Sequence, residues 1–437
     1  MKDYVDCADH GDTLTGVCRS LNVCVYLDSA HEAFVDRHLG GSNYVTQDPT
    51  DTLDQPFVNG DCNVVTTAGA ESTLAHLRGL NYTGEFYISD KVHEKEPLAA
   101  MSPGDDAEFA DFVSWVVHAL NAAWGRNITQ ETAAQFLPTT NLFGEQYSNM
   151  FIDAVSLIGN MEELYNRTLP EKHASVNTIN NGTSGLLYAM PFGDTLIKTD
   201  GPVPNGKLEL IAGRDVLRCG IIHNSTRPAG FVSIDQQASD ITSDAGINGT
   251  IWTGFDIDVC RGIAAALFTT ADGHIEWVEV PTVSVGFEKL ANGEIDVLPG
   301  APYTMQNDVK EPATGRGYDF SPVYYYGSSD NEPSLAIATL EDDEQWSDFV
   351  TWIIFALIYA EEEEITDASD MPIVLLFGPV YKQSFRDLII EVGTYGQIYE
   401  RNVEAYNPRA VGRGRMNQVN YGSTPLFVDP EMYGFWS

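Results

Sequence analysis

The residues with the most chemistry open to them are six cysteines: Cys7, Cys18, Cys24, Cys62, Cys219 and Cys260. None lies in a Cys-x-x-Cys pair and no histidine clusters beside them at zinc spacing, so a structural metal site is not expected. An even count fits disulfides formed in an oxidising compartment, with buried thiols as the alternative. Glycosylation triplets open at Asn81, Asn127, Asn166, Asn181, Asn224 and Asn248, none with an intervening proline. Cysteines and triplets together point to a secreted chain, extracellular or periplasmic. The N-terminus, Met1-Lys-Asp-Tyr-Val-Asp6, reads as no signal peptide, so the expectation is a targeting segment missing from this chain.

No catalytic set assembles. The nine histidines are scattered and no Gly-x-Ser-x-Gly elbow exists. Gly412-Arg-Gly-Arg415 lacks the spacing and the preceding strand of a dinucleotide or phosphate loop. Glu361–Glu364 with Asp367 and Asp370 lacks the ligand spacing and glycine of a calcium hand, and reads as a solvated helix end. The expectation is a non-enzyme without cofactor or metal.

Composition narrows the partners. Against 63 Asp+Glu stand 24 Lys+Arg, a net charge of −39 over 437 residues. Such a field repels nucleic acid and anionic membrane alike. A hydrophobic fraction of 43% leaves ample apolar surface to bury. The longest apolar run, residues 349–360 (FVTWIIFALIYA), is shorter than the roughly 18 residues a span requires and reads as a buried helix.

The elements repeat. Residues 105–129 (DDAEFADFVSWVVHALNAAWGRNIT) align without a gap on residues 342–366 (DDEQWSDFVTWIIFALIYAEEEEIT), and residues 158–167 on residues 392–401. A Glu-Pro pair precedes each block, Glu96-Pro97 and Glu332-Pro333. At helical period Phe112, Trp115, Val116 and Ala119 share a face, as do Phe349, Trp352, Ile353 and Ala356, and both stripes read as core packing. Strands are expected at 22–26, 60–67, 216–222, 274–280 and 294–298, with helices at about 30–39, 261–268 and 287–293. Residues 169–215 read as a linker with one strand pair. Strands alternating with helices give an α/β class with a largely parallel sheet.

Three stretches carry a resemblance: Trp252-Thr-Gly-Phe-Asp-Ile-Asp-Val-Cys-Arg261, Phe287-Glu-Lys-Leu-Ala-Asn-Gly-Glu-Ile-Asp-Val-Leu298 and Tyr318-Asp-Phe-Ser-Pro-Val-Tyr-Tyr325. They resemble extracytoplasmic solute-binding proteins of family 3, above all the general L-amino-acid-binding proteins of ABC importers. Lys95-Glu-Pro-Leu98 and Tyr399-Glu-Arg-Asn402 are similar to the C-terminal part of that subfamily. The resemblance implies a periplasmic-binding-protein-like (type II) fold: a two-lobed α/β sandwich closing over a small polar solute and handing it to a membrane transporter. Mapped on that plan, residues 1–195 hold a second lobe and tail, and residues 196–437 a first lobe and another tail: incomplete tandem copies. Either the chain is part of a longer tandem array, which the missing export signal favours, or the lobes form one permuted unit. The resemblance also implies the disulfides Cys24–Cys62 and Cys219–Cys260, leaving Cys7–Cys18 as the third. Some enzymes share the fold, but no paired acid and base supports one here.

An amino acid's carboxylate and ammonium each need a counter-group when buried. The family supplies an arginine in Thr-x-x-Arg-Asp, and this chain reads Thr304-Met-Gln-Asn307-Asp308. Asp28-Ser29-Ala30 stands where the family has a Gly-Thr-Thr anion cradle, and Ala68 follows Thr66-Thr67 where an ammonium-binding aspartate belongs. Arg316, close in sequence, is a candidate substitute guanidinium. The candidate ligand residues are therefore Trp252, Thr304, Asn307, Arg316, Ser29, Thr66 and Thr67. The alternative is an extracellular glycoprotein scaffold that keeps the fold without amino-acid binding.

Overall fold

The computed structural model describes residues 18, 20–27, 29, 31–32, 34–35, 39, 43–47, 52–66, 77–86, 97–168, 178–180, 201–223, 229–235, 251–309, 315–327, 334–405, 413–420 and 426–427. These form two compact units: residues 1–99 with 169–174 and 190–194, and residues 100–168 with 175–189 and 195–437.

In the first unit, strand β1 (Asn22–Tyr26) lies between β2 (Asn43–Gln47) and β3 (Val64–Val65), all parallel. The period of two along β1 sends Val23 and Val25 to one face, against Phe34 and Val35, and Cys24 to the other. There Cys24 meets Leu53 at the start of helix α1 (Asp54–Asn59) and Cys62 beyond it. Covering on both faces explains the unbroken apolar run of β1, as a parallel sheet requires. Cys24 and Cys62 are disulfide-bonded, with Cα atoms 5.7 Å apart. Cys18 is buried and also disulfide-bonded, and its expected partner Cys7 lies outside the described residues.

The second unit opens with α2 (Ala107–Gly125), α3 (Ala133–Phe136), α4 (Met150–Ile158), α5 (Met161–Thr168) and the short strand β4 (Ile179–Asn180). Helix α6 (Lys207–Arg214) leads into β5 (Leu217–Ile222). The pair β6 (Ser233–Asp235) and β7 (Ile251–Thr253) precedes α7 (Phe255–Phe268), and β8 (Ile275–Val280) and α8 (Val283–Ala291) follow. Then come β9 (Leu298–Pro302), α9 (Met305–Val309), β10 (Tyr318–Phe320) and β11 (Leu335–Leu340). Helices α10 (Glu344–Glu362), α11 (Ser384–Val392) and α12 (Tyr395–Tyr399) and strand β12 (Leu426–Phe427) complete it. Strand β5 pairs parallel with β8 and bridges β9 through Cys219 and Val297. β9 and β10 flank β11 antiparallel, so the sheet runs β8-β5-β9-β11-β10. One face buries Val280, Phe287, Leu290, Leu298, Tyr318 and Leu340. Cys219 is bonded to Cys260 of α7, their Cα atoms 6.3 Å apart.

Several expected boundaries move. The strand expected at 60–67 shortens to β3, because Gly60 at φ +82° ends α1 and residues 61–63 form the turn that carries Cys62. Helix α7 starts at Phe255, six residues early, because Gly254 at φ +134° breaks β7 there and the first amides find partners: Phe255 N on Gly230 O and Asp256 N on Phe231 O. Helix α8 starts at Val283 because the Thr282 hydroxyl caps it, accepting from Val285 N. The strand expected at 294–298 is displaced to β9, where β11 supplies ladder partners to a segment of prolines and glycine that reads as loop. The linker contains α6, which buries Leu208 and Ile211, and β4 pairs across the unit with β12.

The repeated sequence gives matching helical segments. Helices α2 and α10 have 19 residues each, capped by Asp106 accepting from Phe109 N and Asp343 accepting from Trp346 N, both at 3.0 Å. Helices α4 and α11 have nine each. Asn160 with Glu163 and Thr394 with Gln397 then form reciprocal capping boxes. Their surroundings differ: Trp346 is 1% exposed, whereas Phe109 at the aligned position is 48% exposed. Among the described residues no helix is long and apolar enough to cross a membrane. The apolar run at 349–360 lies within α10 and is mostly buried.

Candidate functional site

In the second unit the candidate site is the turn after β9. The Thr304 hydroxyl accepts from Asn307 N at 3.2 Å, and Asn307 Nδ2 donates to Pro302 O at 3.0 Å. Both side chains therefore serve the turn that launches α9. Trp252 of β7 stands edge-on to His223, ring centres 5.2 Å apart, at the carboxyl end of β5. Trp252, Thr304 and Asn307 thus lie at the carboxyl edge of the sheet, where open α/β sheets bind ligands. Arg316 does not: its Nη1 donates to Ala291 O, the end of α8 and so the opposite edge, at 2.7 Å.

In the first unit, Ser29 Oγ donates to Tyr26 O at 2.7 Å and accepts from Glu32 N at 3.2 Å. Thr66 Oγ1 reaches Cys24 O at 3.4 Å. Both occupy the carboxyl edge of the β2-β1-β3 sheet. Thr67, Asp28 and Ala68 lie outside the described residues.

The turn after β9 is covered by α2. Trp115, 1% exposed, donates from Nε1 to Asp308 Oδ2 at 2.7 Å, and its ring lies 6.0 Å from that of Tyr303. Trp115, Phe143, Met150 and Phe151 form one apolar cluster with Met305 of α9. Carboxylates crowd the same place. Burial, then Glu341, Asp319 and Glu108, push Asp111 up to about 8. Burial and then Asp111 hold Asp308 well above the carboxylate range, against the Trp115 bond that favours its charged form. Burial, then Asp319 and Glu108, raise Glu341 to about 7, and burial raises Asp319. Burial, then Glu344 and Asp319, bring Asp348 to about 6. His118, 5.1 Å ring to ring from Trp115, is held neutral by burial, down to about 4. Nothing local in the sequence marks this arrangement except Asp111 falling one turn before Trp115.

A cleft of about 300 Å³ lies elsewhere in the unit, lined by Glu361, Gly396, Glu400, Glu404, Arg413, Gln418 and Val419. Arg413 bonds both carboxylate oxygens of Glu361 and lies over the rings of Tyr395 and Tyr399. A carboxylate ligand would have to displace Glu361, so this guanidinium is already spent. Among the described residues no group of three potential metal ligands assembles.

Comparison with known proteins fits the sequence reading. Over 119 residues the chain is 31% identical to the general L-amino acid-binding periplasmic protein AapJ of Rhizobium johnstonii. This chain resembles the amino-acid-binding periplasmic proteins. The match takes in 26% of the chain and spans 28% of the length of that relative. No protein-family profile matches. Among solved structures, a periplasmic binding protein of an ABC transporter from Brucella ovis with glutathione bound overlays 48% of this chain and 94% of its own, at 19% identity and TM-score 0.37. A cysteine-binding protein from Campylobacter jejuni overlays 46% of this chain and 94% of its own, at 12% identity and TM-score 0.28.

Proposed function

We propose that this chain is an extracytoplasmic solute-binding-protein-like module, related to the amino-acid-binding proteins of ABC importers, in which the ionic anchors for a free α-amino acid have been replaced. On this reading residues 1–195 and 196–437 are incomplete copies of the type II two-lobed plan, and the repeated helices are the trace of the duplication. The observation that carries it is Asn307, at the position of the family's arginine, with its amide turned onto Pro302 O inside its own turn. A carboxylate buried there would lack its guanidinium, a loss of about 2–5 kcal/mol of binding. Loss of the ammonium partner at Ala68 would cost a similar amount and leave almost no site.

A thermal-shift screen of oxidised protein against amino acids, dipeptides and organic acids tests this. A ligand at about a hundred times its dissociation constant adds about 2.7 kcal/mol of stability, which moves the melting temperature by degrees. The expected result is no shift with any amino acid, and a shift with one would sink the lost-anchor reading. A shift confined to another class would name the ligand of the altered site.

A flat profile throughout would favour the second reading, a glycosylated scaffold with a surface partner in place of a transporter. Its support is the exposure of Asn81, Asn127 and Asn166. Asn181, Asn224 and Asn248 lie outside the described residues.

A further inference from the structure

The contact between α2 and α9 joins an apolar cluster to a set of acids. From α2 come Asp111 and Glu108, with neutral His118 behind Trp115; from α9 comes Asp308; from β10, Asp319. After β11 come Glu341, Asp342, Glu344 and Asp348. Glu341 leans over Gly317, where an added Cβ would lie 1.9 Å from its carboxylate and 2.8 Å from Asp308 O. Its charge is thereby aimed at the turn that carries Asp308. Among the described residues no lysine or arginine pairs with Asp111, Asp308, Asp319 or Glu341, although ion pairs occur elsewhere in the unit. Asp308 is buried and Asp111, Asp319 and Glu341 are half-buried around it; like charges repel there more strongly than in water, so this contact is sound only while most of these four carry protons.

We propose that α2 is a proton-held latch on the turn at Thr304–Asp308: with the interface acids protonated it stays docked, and with them ionised it is driven off. The sign follows from linkage. Asp111, Asp308, Asp319, Glu341 and Asp348 have values above those of the unfolded chain, so the docked form binds the extra protons. Docking stability is complete below the ordinary carboxylate range and is lost as pH rises through about 7 to 8, the values of Glu341 and Asp111. The meaning of release for a ligand rests on reading residues 304–308 as the former anchor, but the docking itself does not. Failure of the latch would therefore leave the amino-acid screen to decide that reading alone.

Hydrogen–deuterium exchange of the whole oxidised chain, corrected for intrinsic rates, reads the latch directly. Peptides covering 107–125 and 305–309 are expected to lose protection by about tenfold between about pH 5.5 and pH 8.5, while β5 and β8 stay protected. Asp111→Asn and Glu341→Gln, which keep shape and remove a charge, are each expected to shrink that loss. Circular dichroism at the lower pH confirms that each variant is folded, and the two serve as independent checks. Protection that stays constant with pH in the parent chain overturns the proposal. So does an undiminished loss in both folded variants, which would place the titrating group elsewhere.

Discussion

Trp346→Ala is expected to destabilise the second unit by about 3–5 kcal/mol, the range for emptying a buried tryptophan site. Trp346 is 1% exposed, lies parallel to Phe349 with ring centres 6.0 Å apart, and donates from Nε1 to Asp296 O at 3.1 Å. Asp296 is itself buried where the β5 to β9 bridge forms, accepting from Arg218 N at 2.8 Å and pairing with Arg214. Truncation thus opens a cavity and orphans a carbonyl beside a buried carboxylate, and both effects act in the same direction. Phe109→Ala, at the aligned position of α2, removes a half-exposed ring and is expected to cost under about 1 kcal/mol. Urea midpoints of the two variants check the contrast. Equal midpoints would mean that the repeated helices are embedded alike, against the burial described.

Loss of the Cys219–Cys260 disulfide is the second large effect. The bond closes a loop of 41 residues, and chain entropy alone assigns it about 4 kcal/mol. It ties β5 to α7 beneath the sheet, and both sulfurs lie in fully buried residues. A Cys219→Ala, Cys260→Ala double variant keeps small apolar groups there and isolates the cross-link. Its unfolding free energy, read from urea denaturation, is expected to fall by an amount comparable with the whole stability of a marginal domain. An unfolding free energy within about 0.5 kcal/mol of the parent's would show that the unfolded chain is already compact around this pair.

Much of this architecture is legible in the sequence. Strands β1 and β5 announce themselves as short apolar runs, β8 as an alternating one, and α2 and α10 as copies of one pattern. Helix α6 hides in a polar linker because two apolar side chains suffice to dock it. Strand β9 hides because Pro299, Gly300 and Pro302 have no strand propensity, and β11 supplies the ladder along Leu298–Pro302. For the candidate site, the identities at 304–308 can be read directly, but their duties cannot. That Asn307 serves its own turn depends on backbone geometry, and the covering of α9 by α2 depends on a contact between residues 193 apart.

That separation has a consequence for biosynthesis. Trp115, Phe143, Met150 and Phe151 emerge from the ribosome well before the segment carrying Met305 and Asp308. At about 5–20 residues per second, Trp115 waits roughly 10 to 40 s for its partner. During that interval an aromatic face is exposed on a nascent chain, the condition that recruits chaperones and invites aggregation. Slow translation or rapid heating should harm the yield of this protein more than its equilibrium stability alone implies.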